Sequence, residues 1–122
     1  MSRQFLAQLD MFLGLRREFE VNGLKGAAIN APRMFASNLG AKLVSDLGFD
    51  FGFTWFLSPA GKVRASWRTG PDSPVKAIEL AGAMGGGGHA NAAAAELTLA
   101  QLEAYFSGTV LPKPVRSPPK PR

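Results

Sequence analysis

From Phe49 to Leu57 the chain reads Phe-Asp-Phe-Gly-Phe-Thr-Trp-Phe-Leu, which places Phe49, Phe51, Phe53, Trp55 and Leu57 at every second position. Successive side chains of an extended strand point to opposite faces, so this two-residue period predicts a strand with one face against a core. Ser58-Pro59-Ala60-Gly61 then reads as a turn. On the returning segment Val63, Ala65 and Trp67 share one side, while Lys62, Arg64, Ser66 and Arg68 share the other. So short a connection predicts an antiparallel hairpin, because a parallel pair needs a long crossover.

The flanking segments carry a different period. Phe5, Leu9 and Phe12, with Leu6 and Leu13 beside them, recur at helical spacing, so residues 1–20 read as an amphipathic helix. Asn22-Gly23 supplies a turn, and Gly26 to Ile29 is a short apolar run that suits a buried strand. Asn30 is placed to cap a second helix, with Pro32 in its first turn and Phe35, Leu39, Leu43 and Leu47 on one stripe. Ser73 followed by Pro74 reads as a third helix start, running through Ile78 and Leu80 toward a glycine run. Thr98 and Gln101 match a capping box that opens a last helix, with Leu99, Leu102 and Phe106 inward and a stop near Gly108. Helix, strand, helix, hairpin, helix, loop, helix is the order of an α/β fold: a small mixed β-sheet packed with helices in a single domain.

A chain of 122 residues suits one domain of ordinary size. No apolar stretch approaches the roughly 20 residues that span a bilayer. The start carries no basic segment followed by an apolar run and a cleavage site, so no membrane partner is expected. The absence of cysteine excludes disulfides and thiolate metal sites and fits a cytoplasmic location. The net charge of +5 suggests nucleic acid until it is located. Lys113, Arg116, Lys120 and Arg122 lie in a proline-rich stretch, residues 112–122, that holds no acid. Residues 1–111 keep ten basic against nine acidic side chains and show no general stripe for a phosphate backbone.

Chemistry concentrates in Met84-Gly85-Gly86-Gly87-Gly88-His89-Ala90-Asn91, followed by four alanines. Successive glycines permit positive φ and remove the Cβ atoms that keep a ligand from the backbone, so a phosphate can approach several N–H groups. His89 is the one histidine of the chain, and its imidazole can donate to a phosphate oxygen. The Asn91 amide both donates and accepts, which suits a ligand or a loop cap equally. Alone, the two runs also fit a flexible hinge joined to an alanine helix. The Gly-x-Gly-x-x-Gly and Walker contexts are not met.

Several separated segments decide between these readings. Asn30-Ala31-Pro32, Ala36-Ser37-Asn38-Leu39-Gly40, the alternating aromatic strand, Ala65-Ser66-Trp67-Arg68-Thr69 and Gly85-Gly86-Gly87-Gly88-His89-Ala90-Asn91-Ala92-Ala93 occur in this order over residues 21–100. In order and spacing they resemble the DHHA1 domain, the small C-terminal substrate-binding domain of DHH phosphoesterases. The resemblance implies that Gly85, Gly86, Gly87, Gly88 and His89 hold a substrate phosphate, with Arg68 as a second anion contact beside Ser66 and a weaker role for Asn91. It divides the chain into a linker-type helix (1–20), a DHHA1-like domain (21–111) and a basic tail (112–122). The family has a glycine where Ala94 stands, and a positive φ there would strain this residue.

The catalytic half of that family binds two divalent metals through aspartates and histidines, including an Asp-His-His motif, which this chain lacks. The expectation is therefore a binding module for a nucleotide or the end of a short nucleic acid, with no catalytic residue and no cofactor of its own. Manganese or magnesium enters only if a DHH-domain chain supplies the ligands. Two alternatives stand beside it. One is the substrate-binding part of a two-part phosphoesterase, which an exposed apolar patch around Phe5, Phe12 and Phe19 would favour. The other is an interaction module acting through Pro118-Pro119-Lys120-Pro121.

Overall fold

The computed structural model describes residues 2–108, so the basic tail lies outside the described residues. The chain runs α1 (Arg3–Gly14), β1 (Arg17–Val21), β2 (Leu24–Asn30), a single 3-10 turn (Arg33–Phe35), α2 (Ala36–Ser45), β3 (Phe51–Leu57) and β4 (Val63–Arg68). It continues through α3 (Ala77–Ala83), β5 (Gly87–His89), β6 (Ala92–Leu97) and α4 (Leu99–Phe106). The strands form one six-stranded mixed sheet in the order β1-β2-β3-β4-β6-β5, in which only β2 and β3 are parallel. The expected α/β class is therefore the fold found. Among the described residues no helix is long and apolar enough to cross a membrane.

The first helix is shorter than its apolar stripe suggests. It ends at Gly14, and Arg17–Val21 pairs with β2 through the Asn22-Gly23 turn, whose two residues both take positive φ, 51° and 83°. Phe19 lies seven residues after Phe12, a spacing that fits a helix, yet it shares a strand face with Val21. The patch expected around Phe5, Phe12 and Phe19 is dispersed. Phe5 and Phe12 pack on Phe35 at centroid distances of 5.1 and 5.0 Å, and Phe19 packs on the opposite side of the sheet against Phe51, Phe53 and Tyr105.

Two cores result, one on each sheet face. Phe51, Phe53, Val63, Ala65, Trp67, Ala93 and Leu97 face α3 and α4, meeting Ala77, Leu80, Ala81, Leu102 and Tyr105. On the other face Ala27 and Ile29 meet Leu9 of α1 and Phe35, Leu39 and Leu43 at α2. The aromatic strand is thus covered on both faces, since Gly52 and Thr54 between the aromatic residues are buried too. Gly52 permits this: a Cβ there would stand 3.0 Å from the Gly40 carbonyl oxygen of α2. Leu47, expected on the α2 stripe, lies past the helix and is exposed, as is Leu99 at the start of α4.

Three local expectations change. Asn30 ends β2 rather than capping a helix, and the 3-10 turn closes with Phe35 N–H donating to Pro32 O at 3.0 Å. Ser73 accepts from the Gly70 N–H at 2.9 Å and so closes a loop. The third helix begins at Ala77, where the Glu79 carboxylate accepts from the Lys76 N–H at 3.2 Å. The glycine-alanine segment is a β-hairpin, not a loop with a helix former: Gly87, Gly88 and His89 pair with Ala94, Ala93 and Ala92. By contrast the Thr98/Gln101 capping box is present with both hydrogen bonds, at 3.1 and 2.8 Å.

Candidate phosphate-binding face

Helices α1 and α2 lie over β2 and β3 and leave the β4–β6–β5 half of their sheet face open. Register decides what stands there. Directly opposed residues share a face, so His89, Ala92, Arg68 and Gly52 form one cross-strand row. Gly87, Ala94, Ser66 and Thr54 form the next, and Arg64, with Glu96 and Phe56 on either side, the third. Arg68 and His89 are two strand spacings apart, about 10 Å between their backbones. Both are on the open side.

A cleft of about 300 Å³ lies over the first two rows, lined by Ser37, Gly40, Thr54, Ser66, Arg68, Gly87 and Gly88 among others. The Arg68 guanidinium donates to Ser37 Oγ at 3.1 Å, and Ser37 sits in the first turn of α2. Gly40 makes room for this side chain, because a Cβ there would come within 2.7 Å of Arg68 Cβ. Ala36 and Ser37 at the start of α2 line the cleft beside this arginine, while the Ala36 N–H donates to Arg33 O across the 3-10 turn. Below the sheet Trp67 is buried and donates its indole N–H to Tyr105 Oη at 2.9 Å, which anchors the strand between Ser66 and Arg68. Burial pushes Tyr105 up to about 12, the Trp67 hydrogen bond acting in the opposite direction.

The glycines divide their work. Gly85 and Gly86 end α3: their N–H groups donate to Gly82 O and Ala81 O at 3.0 and 2.8 Å, a Schellman cap with Gly85 at φ 88°. Those two amides are engaged by the helix, which leaves Gly87 and Gly88 to line the cleft. A Cβ on Gly88 would stand 2.7 Å from Ala93 Cα, whereas one on Gly87 would meet nothing within 4 Å. His89 stands exposed at the sheet edge, beyond the cleft lining but in the Arg68 row. Ala94 pairs with Ser66 and Gly87 and is not among the residues with positive φ, so the anticipated strain is absent.

Asn91 serves the hairpin. Thr69 donates its hydroxyl to Asn91 Oδ1 at 3.1 Å and its N–H to Asn91 O at 3.0 Å, and Thr69 Oγ1 accepts from the Ala77 N–H at 3.1 Å. Buried Thr69 therefore ties the end of β4, the β5–β6 turn and the start of α3 together. Thr69 and Ser37 both stand inside the segments that carry the resemblance, yet neither has a role assigned from the sequence. Their position directly beside Arg68 and on the adjoining helix start was the available signal. Among the described residues no group of three or more His, Cys, Asp or Glu side chains stands where it could hold a metal ion.

No family model and no curated protein matches the sequence. Solved structures do resemble the fold. The pGpG-specific phosphodiesterase PggH of Vibrio cholerae matches 86% of this chain with a TM-score of 0.63 at 10% identity. An uncharacterised protein from Helicobacter pylori G27 matches 80% with a TM-score of 0.61 at 21% identity. The chain spans 37% and 28% of those two proteins, and at such identities the likeness is one of fold.

Proposed function

We propose that this domain is a DHHA1-like module that binds a nucleotide or the end of a nucleic acid through its phosphate. The observation that carries the reading is Arg68, held by Ser37 at the start of α2 over a cleft floored by Ser66, Gly87 and Gly88. A guanidinium meets phosphate oxygens through two parallel hydrogen bonds, and the open backbone favours the same charge. His89 is placed in the same row to reach a ligand from the sheet edge. In this reading no residue of the chain is catalytic. A phosphoesterase would need another domain or chain to supply metals, and the fold's likeness to about a third of a pGpG-specific phosphodiesterase supports that second role.

The test is a calorimetric titration of the full chain with 5′-AMP. Arg68→Ala and His89→Ala are each expected to weaken binding about tenfold or more while the far-ultraviolet spectrum is kept. Binding as tight as wild type in both variants would refute the assignment. Manganese with a short oligonucleotide should release no product from the chain alone.

A further inference from the structure

Strand β1 stands at one end of the sheet, and among the described residues nothing pairs with its outer side. Which of its backbone groups face outward follows from β2. The Lys25 N–H donates to Asp50 Oδ2 and the Asp50 N–H donates to Lys25 O, both at 2.8 Å, on the side of β2 away from β1. Lys25 and the opposed Glu20 therefore form a pair with no hydrogen bonds between them. The Glu20 N–H and C=O point out from the sheet, as do those of Glu18 two residues earlier. The end of α4 lies against this edge. Gly108 turns the chain at φ 80°, and a Cβ on it would stand 3.9 Å from Glu20 O. Beside the same edge the Phe19 and Phe106 rings pack at 5.3 Å and are only half-buried.

We infer that the outer edge of β1 is the docking site of residues 109–111, Thr-Val-Leu, which add to it as a seventh strand antiparallel to β1. The register follows from the neighbours of that segment. Gly108 already lies at Glu20 O, so Thr109 comes opposite Glu20, Val110 opposite Phe19 and Leu111 opposite Glu18. This phase suits Pro112, which then stands opposite Arg17 with its nitrogen turned to solvent, a place where a sheet edge tolerates proline. A slip of one residue would set the Pro112 nitrogen, which has no hydrogen to give, against Glu18 O. Val110 falls on the Phe19 face and covers the half-buried rings, and β-branched Thr109 and Val110 suit a strand. A second copy of the chain fits less well. Two β1 edges paired about Phe19 would oppose Glu18 to Glu20, and like charges directly opposed destabilise a sheet. The chain's own segment has no loop to close beyond Gly108, which favours it over a separate strand.

Amide hydrogen exchange and nuclear Overhauser spectra of the full chain test the docking. The Glu18 and Glu20 amides are expected to exchange about tenfold or more slowly in wild type than in Leu111→Pro, which lacks one pairing N–H. Val110 and Phe19 should give an Hα–Hα cross-peak, the mark of an antiparallel pair without hydrogen bonds between its two residues. Exchange at Glu18 and Glu20 that Leu111→Pro leaves unaltered, or absence of the cross-peak, overturns the inference. Protection that rises with protein concentration, together with a dimer in sedimentation, assigns the edge to a second copy and overturns it likewise.

Discussion

A methyl group on Gly86 would collide with the Ala94 backbone, whereas on Gly87 it would meet only open cleft. Neighbouring glycines thus answer to different constraints, one to packing and one to ligand access. Gly86→Ala is expected to destabilise the fold by about 1–3 kcal/mol, as overpacking does. Gly87→Ala should unfold at nearly the wild-type temperature yet bind 5′-AMP severalfold more weakly, because its methyl occupies the cleft. Thermal melts and titrations on the two variants separate these effects, and a Gly87→Ala variant with wild-type affinity would show that the ligand lies elsewhere. The facing of Ser66 and Arg68 was legible in the sequence because a strand alternates. The spending of the Gly85 and Gly86 amides was not, since it depends on where α3 ends and on which of its carbonyls remain free.

The β5–β6 hairpin owes its position to the Thr69 hydroxyl, which links it to β4 and to α3. Thr69→Val keeps the shape but leaves the buried Ala77 N–H without its acceptor, at a cost of about 1–3 kcal/mol. It should also weaken 5′-AMP binding by letting the His89 edge shift against Arg68, and Thr69→Ser should restore both. Equal affinity in the Val and Ser variants would contradict this. The hairpin escaped the sequence reading because alanine favours helices in isolation. Here Ala93 packs into the core while Ala92 and Ala94 floor the cleft, so strand pairing with β4 and β5 overrides propensity. β1 escaped for a related reason: a five-residue strand with two inward side chains gives a short signal, and Phe19 continued the helical spacing of Phe12. The aromatic hairpin and the α4 cap, each fixed by local spacing, were legible.

Two cores on opposite faces make the molecule unequal: one face is closed by α3 and α4, the other is closed over β2 and β3 and open beyond β4. The closed face supplies the rigidity on which the open one depends, and Trp67 links them. Tyr105→Phe removes the acceptor of the buried indole N–H and should cost about 1–3 kcal/mol. Burial raises the Tyr105 phenol from 10 to about 12, so the unfolded chain ionises first. The corresponding stability is fully present below pH 10 and lost as pH rises through about 12, a slope that denaturant titrations of Tyr105→Phe should lack. The charge balance leaves the globular part nearly neutral, and binding at the open face must therefore come from placement rather than net charge. The direct measurement of that placement is an amide chemical-shift map of the full chain titrated with 5′-AMP. The account predicts saturable shifts clustered at Ser37, Ser66, Arg68, Gly87, Gly88 and His89. Shifts confined to the basic tail, or centred on the α3–α4 face, would contradict it.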